Sequence, residues 1–386
     1  MGGKASFFSL NVDGISGPNF SGIEIAPNDS LYMFVKVSID ANSQTLPFII
    51  QDSIQYTYNG NTRWVQLDAY GRNAIFLNNK VIAKDTTFSN TLPIVILGSL
   101  QVNKNVTLTL NKGTAIYAHA DAPVIINGTL RSLGDSNNRV SFQCDRLDNP
   151  YSVYPGSWPG IYFMDNSDSS VLNYTNILNA YQGVIVNKNS PHVKLTLNQC
   201  RIDNISADGI IATNTSVNAT NCIISNCGNN VTINSGGNYN FNQCTIVSYD
   251  NSYVSHKFPV VNISNNDGTT SYNLTGNFNN CILYGEGGLT SDEIAINKTG
   301  TSPFNLSFNN VFYKTLNNNL SAATFSNCIR YQYNKPAFKL VDNSNILYDF
   351  HLQDSSVCKA AGNSIMPVLL NYEGHIRTTP YDLGAY

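Results

Sequence analysis

A short motif recurs along the second half of the chain and constrains its fold more than any other feature. Each copy has an apolar residue, two small polar residues, a cysteine in most copies, and another apolar residue. The copies are LNQCRI at Leu197, ATNCII at Ala219, FNQCTIV at Phe241, FNNCIL at Phe278, FNNVFY at Phe308 and FSNCIR at Phe325. Successive cysteine positions are separated by 22, 22, 37, 30 and 17 residues. A period in the low twenties with insertions predicts a solenoid.

The motif itself predicts a corner between two strands. The apolar residue and the cysteine three positions later both have the character of interior residues. Side chains of a strand alternate between its two sides, so these two positions share the interior only if the chain bends at the pair between them. That pair is Asn198-Gln199 in the first copy and Asn242-Gln243 in the third. Asparagine tolerates the left-handed conformation that such a bend requires.

Short strands joined by tight corners predict an all-β fold, a right-handed parallel β-helix from about residue 93 to residue 386. Coils of such a helix stack ~4.8 Å apart and align like residues in ladders. We expect a buried core ladder of reduced cysteines with Val311 at the equivalent position, and Cys227 beside Ile205 in a second ladder. No histidine lies at ligand spacing from these cysteines, so zinc is not predicted. The ladder cysteines are Cys200, Cys222, Cys244, Cys281 and Cys328.

The first part of the chain has a different pattern. Residues 1–84 contain alternating segments separated by turn signals: FSLNVDG, SLYMFVKVSI, DSIQYTYNG and TRWVQLDAYG. This pattern is typical of antiparallel strands and predicts a β-sandwich that precedes the solenoid.

Composition excludes two classes of partner. Charged residues make up 12% of the chain and the net charge is -3, so no basic footprint for nucleic acid is present. The longest apolar run, LPIVILGSL, is much shorter than the ~18 residues of a membrane-spanning segment.

Three segments resemble one family. LPIVILGSLQVNKNVTLTLNKGTAIYAHADAPVIINGTLRSLG, VSFQCDRLDNPYSVYPGSWPGIYF and the closing HIRTTPYDLGAY are similar to right-handed β-helix surface lipoproteins of Bacteroidetes-type bacteria. The resemblance covers nearly the whole chain, although Cys144 replaces a glycine usual in the family. It implies an Ig-like sandwich whose first strands lie before this chain. It also implies an exported protein of the outer membrane or cell surface, held to the membrane only through a lipid anchor that precedes these residues.

The β-helix also carries polysaccharide lyases and glycoside hydrolases, so catalysis is considered separately. Such a hydrolase needs carboxylates ~5 to 9.5 Å apart on adjacent coils. Asp203 and Asp208 with Arg201 are the candidates, and turn residues with a surface ion pair are the alternative interpretation. Asp292 and Glu293 suit a solvated loop tip, with calcium binding as the alternative. None of these sets matches a catalytic signature, and the sequence favours a protein that is not an enzyme and needs no cofactor.

A concentration of aromatic residues indicates binding instead. Tyr151, Tyr154, Trp158 and Tyr162 lie within YSVYPGSWPGIYF. Aromatic rings pack against the apolar faces of sugars, so this segment predicts a contact surface for a glycan or for another surface protein. The alternative is a long loop that packs on the flank of the helix. The function predicted is adhesion or glycan binding, with a lyase or hydrolase acting on the flank of the helix as the rival.

Overall fold

The structure is a computed structural model that describes residues 6–39, 48–188, 192–317, 319–364 and 368–386. The chain divides into two compact units, Met1–Ala74 and Ile75–Tyr386. Nearly all regular structure is β. In the ranges described, no helix has the length and apolarity that a membrane crossing requires.

The first unit holds two antiparallel sheets. One has the strand order β2-β1-β3 and the other is the hairpin β4-β5. Its strands are β1 (Phe8–Val12), β2 (Ile15–Gly17), β3 (Met33–Val37), β4 (Phe48–Tyr58) and β5 (Asn61–Gly71). Alternation buries Phe8, Leu10 and Val12 on one side of β1. The sheets are antiparallel, as the sequence predicts, and their membership of an Ig-like sandwich stays a prediction.

The second unit is the solenoid, together with one turn of 3-10 helix at Tyr151–Val153. Its strands are β6 (Ile75–Ile82), β7 (Thr86–Phe88), β8 (Ile94–Val102), β9 (Thr107–Asn111), β10 (Ala115–Ala118), β11 (Val124–Ile126), β12 (Thr129–Leu133), β13 (Val140–Cys144), β14 (Ile161–Phe163), β15 (Ser170–Asn173), β16 (Thr175–Leu178), β17 (Val184–Asn187), β18 (Leu195–Asn198), β19 (Arg201–Thr220), β20 (Ile223–Asn242), β21 (Thr245–Tyr249), β22 (Val261–Ser264), β23 (Leu274–Asn279), β24 (Ile282–Glu286), β25 (Ile294–Asn297), β26 (Phe304–Asn309), β27 (Phe312–Tyr313), β28 (Thr324–Ser326), β29 (Ile329–Arg330), β30 (Phe338–Asp342) and β31 (Leu347–Leu352).

Parallel pairing arranges these strands as three faces of a β-helix, and long strands such as β19 and β20 bend through all three. Face A consists of β6, β8, β10, β13, β16, β19, β20, β21, β24, β27 and β29. Face B consists of β6, β8, β11, β14, β17, β19, β20, β22 and β25. Face C consists of β7, β9, β12, β15, β18, β19, β20, β23, β26 and β28. The structure thus confirms the predicted fold class.

The solenoid begins earlier than the sequence indicates. Parallel pairing starts at Ile75, which pairs with Ile94, whereas the sequence places the start at about Pro93. Alternating strands look the same in a sequence whether they pair in parallel or antiparallel. Only the pairing in three dimensions assigns β6 to the solenoid.

The repeat forms the corner that its sequence predicts. Phe241 pairs with Phe278, and Phe278 with Phe308, so the aromatic position lies in one continuous ladder. The residue immediately before each cysteine position, or before Val311, has a left-handed φ of 51° to 53°; these residues are Gln199, Asn221, Gln243, Asn280, Asn310 and Asn327. The corner turns the chain from face C to face A, and the cysteine follows it.

The last part of the chain folds back over the solenoid. We call residues 331–364 and 368–386 the C-terminal cover; its only regular element among the described residues is the antiparallel hairpin β30-β31. The cover packs on the outer side of face A, where Val247, Tyr284 and Phe312 are buried against Phe338 and Phe350. A second apolar core therefore lies outside the coils. The sequence predicts one β-helix to residue 386 and does not anticipate this cover.

Candidate functional site

A group of exposed and partly exposed tyrosines lies at the corner between faces A and B. The loop after β13 and the loop after β21 both lead from face A to face B, so both leave the solenoid at this corner. The ring centroids of Tyr151 and Tyr154 are 5.6 Å apart, and those of Tyr154 and Tyr253 are 5.3 Å apart, both edge to face. Tyr151 is 45% exposed and Tyr253 is 37% exposed. We call Tyr151, Tyr154 and Tyr253 the tyrosine surface.

A charged pair borders this surface. The Arg146 guanidinium lies 3.9 Å from the ring centroid of Tyr151, within the range of a cation–π contact. It also donates two hydrogen bonds of 2.8 Å to the carboxylate of Asp148. Arg146 lowers the pKa of Asp148, so this carboxylate is ionised at neutral pH. A ligand on the Tyr151 ring would therefore meet fixed donors and acceptors at its edge.

Two corner asparagines hold the loop that carries Tyr151 and Tyr154. Asn179 and Asn204 have left-handed φ values of 60° and 57° and turn the chain from face A to face B. The amide of Asn179 donates to the carbonyl of Ser152 at 2.7 Å, and the amide of Asn204 donates to that of Val153 at 2.7 Å. The loop backbone is thus fixed to the rigid solenoid, which positions the rings before any ligand arrives.

Trp158 is not part of this surface, and its predicted role in binding is wrong. The side chain is fully buried, and its ring stacks on Phe142 with centroids 6.4 Å apart. Its indole N–H donates to the carbonyl of Leu178 at 2.8 Å, so the polar group is satisfied inside the core. Tyr162 is half-buried on β14, where its hydroxyl donates to the carbonyl of Pro159 at 3.3 Å. Of the four predicted residues, the structure brings only Tyr151 and Tyr154 together at an exposed site.

Sequence reasoning missed Tyr253, Arg146 and Asp148. Tyr253 comes from a different insertion, nearly a hundred residues after Tyr154. A usable signal was the 37-residue spacing between Cys244 and Cys281, which indicates an insertion of about 15 residues beyond the regular 22-residue coil. This spacing does not indicate at which corner of the solenoid the inserted loop lies.

The carboxylates considered for catalysis have separate partners. Asp203 accepts a 2.7 Å hydrogen bond from Arg201 and a 2.6 Å hydrogen bond from Ser225 of the next coil, and only 9% of the residue is exposed. Asp208 lies beyond the corner and accepts a 2.6 Å hydrogen bond from Thr232. Arg201 and Asp203 form an ion pair, but Asp203 is buried within β19, so the pair is not the surface pair of the alternative interpretation. The catalytic interpretation stays an untested prediction.

Glu293 is part of a buried charged cluster, so the expectation of a solvated loop tip is wrong for it. Its carboxylate is fully buried, 3.0 Å from Nε2 of His256 and 3.7 Å from Nζ of Lys314. Asp292 instead accepts hydrogen bonds from the backbone N–H groups of Leu316 and Asn317 at 2.6 and 2.8 Å. The two neighbouring carboxylates thus bind different partners, and the described residues contain no cluster of three or more potential metal ligands.

The ladder cysteines lie where the chain enters face A. Cys200, Cys222, Cys244 and Cys281 are fully or almost fully buried, and Cys328 at the last coil is partly buried. All five are free thiols, and each donates to a backbone carbonyl of the preceding coil; that of Cys200 reaches the carbonyl of Leu172 at 3.2 Å. Burial raises the pKa of the Cys244 thiol well above its ordinary value. Cys227 pairs with Ile205 in a second interior ladder.

Comparison with protein-family models, with curated proteins and with solved structures finds no match to this chain. The resemblance to β-helix surface lipoproteins therefore stays a prediction from the quoted segments.

Proposed function

We propose that the chain is a non-catalytic bacterial cell-surface protein that adheres to glycan through the tyrosine surface. The observation that carries this proposal is the preorganised set of rings beside the Arg146–Asp148 pair, in which Tyr151 and Tyr253 are exposed and Tyr154 is partly exposed. Sugar rings have apolar faces that pack on aromatic side chains and hydroxyls that need hydrogen-bond partners at the edge.

The arrangement favours a ligand that is longer than one sugar. Three rings in consecutive edge-to-face contact extend over two loops, so their combined area exceeds what a single pyranose ring covers. The Arg146–Asp148 pair supplies charged donors and acceptors at one end only. A glycan chain fits this arrangement if its terminal or branching sugar lies at Tyr151, the end of the tyrosine surface that has the charged pair.

The proposed location is the outer membrane or cell surface of the exporting cell, with membrane attachment through a lipid anchor outside these residues. The resemblance of the quoted segments supports it, and so does a surface rich in uncharged polar residues. The net charge of -3 gives no reason to include nucleic acid among the partners.

Affinity electrophoresis in gels that contain neutral or uronic polysaccharides tests the proposal. The wild-type chain should be retarded by at least one polysaccharide, and Tyr151→Ala combined with Tyr253→Ala should remove the retardation. Tyr333→Ala is the matched control, because Tyr333 is 93% exposed on the C-terminal cover and outside the tyrosine surface. Retardation that survives the double substitution, or no retardation by any polysaccharide of the panel, would reject glycan binding at this surface.

The rival function, a polysaccharide lyase or glycoside hydrolase, is tested on the same panel by the release of reducing ends. We expect no turnover. Turnover that Asp203→Asn abolishes, while the variant keeps the melting temperature of the wild type, would replace the adhesion proposal with an enzymatic one.

A further inference from the structure

The outer side of face C carries a groove that is lined by side-chain amides. It encloses about 520 Å³ over the last coils of the solenoid. Seven of its eight lining residues are asparagines, and the eighth is Ser326. Its floor comes from β20, β23 and β26, and Asn363 of the C-terminal cover forms part of its wall. We call it the amide groove.

The amides of the floor are held in a fixed orientation by hydrogen bonds along the solenoid. Asn240 donates to Asn218 at 3.0 Å, Asn277 donates to Asn240 at 2.9 Å, and Ser307 donates to Asn277 at 2.8 Å. A parallel column contains Asn309, which donates to Asn279 at 3.0 Å. Neighbouring strands in a sheet are ~4.8 Å apart, and residues on one side of a strand repeat every ~6.6 Å. The groove therefore presents a regular two-dimensional array of amides.

Each ladder amide has capacity for a ligand. An asparagine side chain has two N–H donors and an oxygen with two lone pairs. Within the ladder, Asn240 and Asn277 each give one N–H and accept one hydrogen bond. One donor and one acceptor of each side chain remain, and the ladder fixes the plane in which they point. Paired donors and acceptors of this kind match adjacent hydroxyl groups.

The lining also limits the charge of the ligand. None of the described residues that line the groove is charged. A carboxylate or an ammonium group in this groove would lose water without gaining an opposite charge, which is strongly unfavourable. An apolar ligand would leave the remaining donor and acceptor of Asn240 and of Asn277 without a partner, which is unfavourable as well.

We propose that the amide groove is a second binding site, specific for an uncharged, hydroxyl-rich ligand such as a neutral oligosaccharide. It lies on face C, apart from the tyrosine surface at the corner of faces A and B. This proposal does not rest on the proposed function, because the two sites share no residue. Substitutions in the tyrosine surface and in the amide groove therefore test the two sites separately. The ligand lies across the coils, with its hydroxyl groups paired to the amides of Asn240, Asn277 and Asn309.

Isothermal titration with defined hexasaccharides tests this inference. The probes are neutral β-1,4-glucan, β-1,4-mannan and α-1,4-glucan hexamers, with hexagalacturonate as the charged comparison. At least one neutral hexamer should bind, and Asn277→Leu, which keeps the branched shape of the side chain but removes its hydrogen-bonding groups, should weaken that binding by tenfold or more. The matched control is Asn262→Leu on face B, because Asn262 makes a similar 3.4 Å amide contact to Asn229 away from the groove.

Several outcomes would overturn the inference. They are no binding of any neutral hexamer, equal binding of hexagalacturonate, or unchanged affinity in the Asn277→Leu variant. A dimer in sedimentation that Asn277→Leu dissociates would assign the groove to a second copy of this chain instead. Loss of the same binding in the Tyr151→Ala, Tyr253→Ala variant, with Asn277→Leu unaffected, would support the tyrosine surface and reject the groove.

A measurement on the unsubstituted chain covers the case in which Asn277→Leu does not fold. Hydrogen–deuterium exchange with and without the bound hexamer should show added protection in β23 (Leu274–Asn279) and β26 (Phe304–Asn309). Protection confined to the loops of the tyrosine surface would contradict the proposed site.

Discussion

The outer sides of face A and face C are built from the same coils but have opposite chemistry. On face A the outward positions include Val247, Tyr284 and Phe312, and all three are buried beneath the C-terminal cover. On face C the outward positions of neighbouring coils are Asn240, Asn277 and Ser307, which line or border an open groove. The inward side chains of both faces belong to one apolar core.

This difference shows how a solenoid sets the role of each face. The inward positions repeat because every coil must fill the same core. The outward positions are free of that constraint, so their residue types depend on what contacts each face. Face A contacts the C-terminal cover, and face C contacts solvent or a ligand. Outward apolar residues in a parallel β-helix therefore indicate a covering segment elsewhere in the sequence.

The largest expected effect comes from the interior that both faces share. Cys244→Asp should destabilise the chain by more than about 4 kcal/mol, because a carboxylate would be buried in an apolar stack without a partner. Cys244→Val should cost less than about 1.5 kcal/mol, because Val311 already occupies the equivalent position in a later coil. Urea unfolding of the two variants measures the difference. A mild Asp variant, or rapid alkylation of the native thiols, would show that the ladder faces solvent.

The next effect tests the covered face. Phe350 lies in the second core, stacked on Tyr249 with ring centroids 6.3 Å apart, and is 3% exposed. Phe350→Ala should lower the free energy of unfolding by about 3 to 4 kcal/mol through lost burial and an unfilled cavity. Leu347→Ala in the same hairpin is the control, since Leu347 is 54% exposed. Equal effects of the two substitutions would mean that the cover does not contribute a core.

A reciprocal exchange tests the comparison most directly. Val247→Asn places an open-face residue under the cover and should cost about 3 kcal/mol, from lost apolar burial and an unsatisfied amide. Asn277→Val places a covered-face residue on the open face and should cost less, about 1 to 2 kcal/mol, because it removes the ladder hydrogen bonds to Asn240 and from Ser307. Thermal melts of both variants decide the point. Similar costs at the two positions would remove the distinction between the faces.

The smallest effect is the contribution of a single thiol to a pH dependence that both faces share. Burial raises the pKa of the thiols of Cys200, Cys222 and Cys244, whereas an unfolded thiol titrates near ~8.5. Above that pH the unfolded chain loses protons that the folded chain keeps, so stability is full below ~8.5 and falls as pH rises further. Each thiol should contribute a loss of about 1.4 kcal/mol per pH unit. Urea unfolding at pH 8 and pH 9.5 should show a smaller loss for Cys244→Val than for the wild type, and identical losses would contradict the argument.

The sequence predicts the positions that repeat from coil to coil, but it does not predict the environment of residues that occur only once. An apolar residue, an asparagine in the corner pair, and a cysteine or valine after it recur in every copy, so the register between coils can be read from their alignment. The exposed or buried state of a single aromatic residue cannot be read in this way. Tyr151 and Trp158 stand in one loop segment, yet one is 45% exposed and the other is fully buried.

The candidate site was only half predictable for the same reason. Tyr154 meets Tyr253 because two insertions leave the same corner of coils that are far apart in the sequence. His256 meets Glu293 in the same way, across one long coil. Each contact depends on which corner carries the insertion and on the path of the loop, and neither follows from local periodicity.

The corner asparagines have a consequence for how such a chain changes length in evolution. The amide of Asn221 donates to the carbonyl of Leu370, that of Asn310 to Ala361 and that of Asn280 to Asn363, at 2.7, 2.9 and 3.1 Å. The cover is therefore fastened to corners of specific coils. Gain or loss of one 22-residue coil between Asn221 and Asn310 would preserve every interior ladder but displace these attachments. The cover also reaches Arg139, which donates to the carbonyl of Tyr372 at 2.7 Å, so duplications in related genes should accumulate before Arg139.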